Sequence, residues 1–277
     1  MAYQRGLPLG AVMLLKDLVT VAQNARWLPT VLTASESTDA TFRRRYAEDR
    51  FVLASPVNAT KLLKAAVMGQ GGKRSTAEIF DIGEFYHPSE QWIFVNGICT
   101  DRTIASLNAS CLSDLFQKTI TVIHNPTRGI IPDLVECVFE RTFDRTCDIS
   151  LAVFHEVMAA VFNGQRVKLI GHSQGGIIVS RVLQLLKQME LGIYKNIEVY
   201  TFGSGADEDV LVTGVRQEHF VNAYDFVSRI GMRHVMPDGA LYEREIEGHL
   251  LNRDYLEHFA GGHYCGKNSR LYSYVRG

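Results

Sequence analysis

The sequence predicts an α/β fold, a mostly parallel central sheet flanked by helices on both faces. Three observations carry the prediction. From Gln91 onward, short apolar runs alternate with longer segments of helical periodicity. The first of these runs is continuously apolar, as in a parallel strand buried on both sides. Midway along, in KLIGHSQGGIIVSRVL (Lys168 to Leu183), a strand pattern passes straight into a helix pattern through a serine set between glycines.

The elements follow in order. Residues 1–88 read as helices and loops without a clear sheet pattern. QWIFVNGI (91–98) is the first buried strand, and Leu107, Leu112, Leu115 and Phe116 mark the helix after it. TITVIHN (119–125) is the next strand, broken by Asn125-Pro126-Thr127-Arg128-Gly129. Two helices are expected next, IIPDLVECVFERTF and ISLAVFHEVMAAVF. RVKLIGHS is a strand, GIIVSRVLQLLKQM a helix, and IEVYTFGSG and HFVNAYD two further strands. ALYEREIEGH is the last strand, and LNRDYLEHF a helical tail.

The totals exclude several classes. The chain has 277 residues, 46% hydrophobic and 21% charged, with a net charge of −1. Such a chain buries an adequate core without disulfides or metal. Near-neutrality argues against a nucleic-acid surface, and Arg43-Arg44-Arg45 reads as a solvated helix face. The five cysteines contain no CxxC pair. They are expected to be reduced thiols in a cytoplasmic compartment; the sequons at Asn58 and Asn108 matter only in a secreted chain. Leu7 to Leu15 is apolar, but Lys16 and Asp17 stand where a signal peptide would need small residues. The stretch is too short to span a bilayer. It reads as an amphipathic helix with Leu14, Leu15, Leu18, Val19 and Val21 on one side; a targeting signal and peripheral membrane contact through the helix are the alternatives. GQGGKRST (69–76) lacks the glycine and Ser/Thr positions of a phosphate loop and reads as a linker. No HExxH or GxGxxG occurs, so no metal and no cofactor is expected.

The glycine-flanked serine carries the chemistry. Functional groups in a parallel sheet collect at the carboxyl ends of strands. A sharp strand-to-helix turn there would expose the hydroxyl of Ser173. Gly171 and Gly175 remove side chains that would collide, and Gly176 lets the helix start close to the strand. This is the GxSxG nucleophile elbow. A serine needs a base, usually histidine oriented by a carboxylate, in the chain order Ser, Asp/Glu, His. Asp225, ending HFVNAYD, is the expected acid, in preference to Asp207 or Asp209. The downstream histidines are His234, His249, His258 and His263. His249 follows the last strand directly and is the expected base. His263, in AGGHYCG, is the alternative, while His172 is expected either to pack or to support the site from behind the serine. An oxyanion would need backbone N–H donors from Gln174 and from Ile98 or Cys99 after the first strand.

FVNGI, HNP, GHSQGG, TFGSGA, YDFVSRIG and the terminal GHLL…YL together resemble the α/β-hydrolase superfamily, most closely its lipase- and esterase-like members. The resemblance covers residues 89–277 as a catalytic core. It leaves residues 1–88 as early antiparallel strands, a helical lid or an attachment. It implies acyl transfer through an acyl-serine, with Ser173 as nucleophile, Asp225 as acid, His249 as base, and a small-molecule or lipid ester as substrate. Asn96-Gly97 stands where many members have His-Gly. The alternatives are a non-catalytic binding module with a misaligned base, and an acyltransferase or thioesterase sharing the same intermediate.

Overall fold

The computed structural model describes residues 19–27, 39–48, 77–97, 100–125, 148–235, 240–264 and 268–275. Residues 19–27 are helical. α1 (Ala40–Tyr46) starts at Asp39, whose carboxylate accepts the N–H groups of Thr41 and Phe42. β1 (Glu78–Ile82) and β2 (Glu90–Val95) lead to α2 (Arg102–Phe116), capped by Asp101. β3 (Ile120–His124), α3 (Asp148–Phe162), β4 (Arg166–His172) and α4 (Gln174–Met189) follow. β5 (Ile197–Phe202) and β6 (Arg216–Asn222) precede the short helices α5 (Phe226–Ile230) and α6 (Met232–Val235). β7 (Ala240–Arg244) is succeeded by a π-helical turn (Leu251–Leu256) and α7 (Glu257–Ala260).

The seven strands form one sheet in the order β1-β3-β2-β4-β5-β6-β7. Only β1 is antiparallel, pairing with β3 through Phe80 and Val122; every other pairing is parallel. Apolar side chains alternate between two cores, one per face. Ile93, Val95, Leu169 and Val199 point to one, where Val153 and Val157 of α3 and Val179, Val182 and Leu186 of α4 cover them. Trp92, Phe94, Ile170, Tyr200, Phe202 and Phe220 point to the other. There Leu112 and Phe116 of α2 meet Leu251, Tyr255, Phe259, Tyr264 and Leu271 from the C-terminal segments. The expected sheet with helices on both faces is therefore present.

The differences from the sequence reading have physical causes. β1 lies in a region that showed no sheet pattern. EIFDI is a sheet-edge strand that alternates between half-buried and exposed positions, with two acids in five residues, so no apolar run marks it. β6 starts three residues earlier than its apolar run, because Gln217 and Glu218 are polar yet buried. Glu218 is held by Ser269 Oγ (2.7 Å) and by the N–H groups of Arg270 (2.7 Å) and Leu271 (3.1 Å), which seat the C-terminal segment. Residues 1–18, the GQGGKRST stretch and the helix expected over 130–143 lie outside the described residues.

Candidate active site

β4 ends at His172, and α4 begins at Gln174, so the chain reverses within one residue. That residue is Ser173, with φ 58° and ψ −122°. Positive φ is strained for a residue with a Cβ. The close approach of neighbouring backbone accounts for the glycines: a Cβ on Gly175 would fall under 3 Å from the Val95 carbonyl oxygen. A Cβ on Gly176 would strike Ser204 in the same way.

The structure brings three of the expected residues together. His249 Nε2 lies 2.9 Å from Ser173 Oγ, and His249 Nδ1 lies 2.8 Å from Asp225 Oδ2. All three are buried. Asp225 stands three residues past β6 and caps α5, its Oδ1 accepting the Val227 N–H at 2.9 Å. With the Nδ1 proton directed at the carboxylate, Nε2 is the acceptor for the serine hydroxyl.

The other candidates lie elsewhere. His263 is exposed in the turn after α7, its ring 5.7 Å from that of His258, and is no partner of Ser173. His258 is buried within α7, and burial pushes it down to about 4, with Arg244 adding to the shift. His234 falls in α6. Asp209 lies 3.8 Å from His219, across the sheet face under α4. His172, expected either to pack or to support the site from behind the serine, does the latter. Its Nε2–H donates to the His249 carbonyl at 2.9 Å, and the two rings are 4.8 Å apart. Burial, followed by nearby His249, pushes His172 down to about 3, so it stays neutral beside that second ring.

On the opposite side, Gly97 passes over the serine: a Cβ there would come under 3 Å from Ser173 Cβ. Asn96 fixes this loop. Its side chain donates to the carbonyls of Gly97 and Asn125 (2.9 Å each) and accepts the Asn125 N–H (2.8 Å). Asn125 Nδ2 in turn donates to Gln174 Oε1 at 2.6 Å. Gln174 is the first residue of α4, directly after Ser173; Ile98 and Cys99 lie outside the described residues. No group of His, Cys, Asp and Glu among the described residues could hold a metal ion, and no described helix is long and apolar enough to cross a membrane.

Sequence reading marked Asn96 only as part of the Asn-Gly pair after the first strand and missed Asn125, Ser228 and Tyr255. Ser228 had a signal, since a serine three residues after a helix-capping aspartate faces it. Tyr255 had none, because it reaches Asp225 from thirty residues away at 2.6 Å.

No protein-family model matches the sequence, and no curated protein does. Among solved structures, a lipase-esterase related protein from Clostridium acetobutylicum is similar at 13% identity and TM-score 0.39, over 66% of this chain and 97% of that one. An esterase from Pyrobaculum calidifontis is similar at 10% identity and TM-score 0.44, over 83% and 94%. A thermostable carboxylesterase cloned from a metagenomic library is similar at 10% identity and TM-score 0.41, over 79% and 95%. The fold assignment rests on the chain itself. A mostly parallel sheet covered on both faces, a serine on a strained strand-to-helix turn, and the chain order Ser, Asp, His are those of the α/β-hydrolase fold.

Proposed function

We propose that the protein is a serine hydrolase that cleaves carboxylic esters, of a small molecule or a lipid, through an acyl-serine intermediate. The observation that carries this reading is the continuous path from Ser173 Oγ to His249 Nε2 (2.9 Å) and from His249 Nδ1 to Asp225 Oδ2 (2.8 Å). His249 takes the Ser173 proton as Oγ attacks the ester carbonyl, and Asp225 stabilises the imidazolium that forms. The carbonyl oxygen becomes an oxyanion. The Gln174 N–H at the start of α4 is its proposed donor, with the second from Ile98 or Cys99. Collapse expels the alcohol, which takes its proton from His249. Water, deprotonated by the same histidine, then releases the acid and restores the serine.

The test is a series of p-nitrophenyl esters of increasing acyl length, assayed with wild type and Ser173→Ala, both checked for folding by circular dichroism. Ser173→Ala is expected to lose about 10⁴-fold or more in kcat/KM. Equal rates in the two proteins would overturn the reading. Added alcohol or thiol acceptors would show, by ester or thioester product, whether transfer competes with hydrolysis.

A further inference from the structure

The acid of the site is surrounded in an uneven way. Asp225 is fully buried. Its ion pair is with His249, and no lysine or arginine among the described residues pairs with it. Its Oδ1 accepts one backbone N–H. Its Oδ2, the oxygen that holds His249, accepts two further hydroxyl protons. Tyr255 donates at 2.6 Å and Ser228 at 2.9 Å. Three of the four donors therefore converge on Oδ2, which has two lone pairs, while Oδ1 carries only one, so the hydrogen bonding is concentrated on the oxygen that holds His249.

Each donor is itself held. Ser228 stands in the first turn of α5, which Asp225 caps. Tyr255 Oη also lies 2.9 Å from Ser228 Oγ and accepts the Asn222 N–H at 3.2 Å. Its ring is parallel to that of Tyr264, 6.2 Å away, and meets Phe202 edge-on at 6.1 Å. It projects from the π-helical turn that follows His249; such turns recur at functional sites. The turn is pinned from outside by Glu48, which accepts the Asn252 N–H at 2.9 Å.

We infer that Tyr255 and Ser228 are positioning residues for the base: they hold Asp225 Oδ2 against His249 Nδ1 and temper how strongly it attracts the imidazole proton. Neutral donors on a carboxylate oxygen draw off part of its charge. With two hydroxyls sharing Oδ2, His249 surrenders its proton to the leaving alcohol more readily than it would beside an unshared carboxylate. The other groups around the pair are neutral His172 on β4, whose ring touches that of His249, and Tyr264, Asp254 and Arg244 behind Tyr255. The inference deepens the esterase reading and rests on it for its catalytic consequence. The hydrogen-bond effect itself does not depend on any substrate.

The experiment compares wild type, Tyr255→Phe and Ser228→Ala by proton NMR. His249→Ala identifies the His249 ring signals, including the low-field Nδ1 proton. Both variants are expected to move that proton further downfield and to raise the pH at which the ring titrates. Unmoved or upfield-shifted signals in folded Ser228→Ala and Tyr255→Phe would overturn the inference. The kinetic arm follows ester hydrolysis against pH. The acid limb is expected to shift to higher pH in both variants, with a roughly 10-fold loss in kcat and little change in KM, the scale of one charge-assisted bond felt in proton transfer. Coincident pH profiles beside an active wild type would overturn the inference. A wild type that turns over no ester while the NMR shifts occur would instead count against the esterase reading and leave the tempering of His249 standing.

Discussion

The two faces of the sheet bury comparable cores by different means. The face under α3 and α4 is aliphatic: Ile93, Val95, Val153, Val157, Val182 and Leu186 interdigitate beneath two long helices. The opposite face is aromatic. Trp92 stacks on Phe116 at 5.0 Å, Phe202 on Phe220 at 4.8 Å, and Phe220 on Tyr242 at 5.1 Å. Phe259 and Tyr264 meet Phe220 edge-on. Its cover is irregular beyond α2, a π-helical turn and short helices from the last quarter of the chain. Aromatic side chains supply area together with polar tips, and Tyr255 uses its tip on Asp225. The aliphatic face thus holds the sheet, while the aromatic face holds both the sheet and Asp225, the residue that His249 Nδ1 meets.

Substitutions on the two faces should therefore differ in kind. The largest effect is expected for Asp225→Asn. It removes the charge that orients His249 while keeping the shape, so activity should fall about 10⁴-fold with the fold retained. Rates with a short-chain ester and near-ultraviolet circular dichroism check both halves. Next come paired truncations. Phe220→Ala is expected to destabilise by about 3–5 kcal/mol and Leu169→Ala by about 2–5 kcal/mol, both buried completely. Urea melts measure these values. Activity per folded molecule should drop for Phe220→Ala, which loosens Tyr264 and Phe259, and stay near wild type for Leu169→Ala. Equal loss of specific activity in the two would erase the distinction between the faces.

The same comparison shows how much was legible in the sequence. The strands β2 to β5 and the helices α3 and α4 announce themselves, because an aliphatic core under regular helices leaves apolar runs and 3.6-residue periodicity. The GxSxG turn and the order Ser, Asp, His single out Ser173, Asp225 and His249, although Asp225 and His249 stand three and five residues past their strands rather than at the strand ends expected. The aromatic side was less readable. Tyr255 sits in a segment whose sequence reads as an ordinary helix, and its π-helical turn is contacted by Glu48 from about two hundred residues away. Asn96 and Asn125 looked like turn residues, and only the parallel pairing of β2 with β3 brings them side by side. Polar residues within strands hid other features. Lys168 is wholly buried in β4, with Nζ 3.2 Å from Glu198 on β5.

A smaller effect is expected from acid. Burial first, then the nearby His249, holds His172 down at about 3, and burial and Arg244 hold His258 at about 4, from an ordinary 6.5. Each stays neutral in the folded chain and takes up a proton on unfolding below 6.5. Their contribution is therefore complete above pH 6.5 and falls away as pH drops toward 4 for His258 and 3 for His172. The urea midpoint should be lower at pH 5 than at pH 7.5, and His258→Gln should flatten part of that dependence. A midpoint that rises on acidification would contradict the assignment. The smallest effect is expected at Ile79 on the edge strand β1, 44% exposed. Ile79→Lys should change stability by no more than about 0.5 kcal/mol, and a larger loss in a urea melt would mean that this edge is covered.

The most direct test is labelling with a fluorophosphonate probe, which reports an activated serine without any choice of substrate. Wild type is compared with Ser173→Ala, His249→Ala and His263→Ala, each shown to be folded. Labelling of wild type and His263→Ala, with its loss in Ser173→Ala and His249→Ala, is the expected result, and mass spectrometry should find the adduct on Ser173. A folded wild type that fails to label with or without detergent micelles, or labelling that survives His249→Ala and vanishes in His263→Ala, would contradict the account.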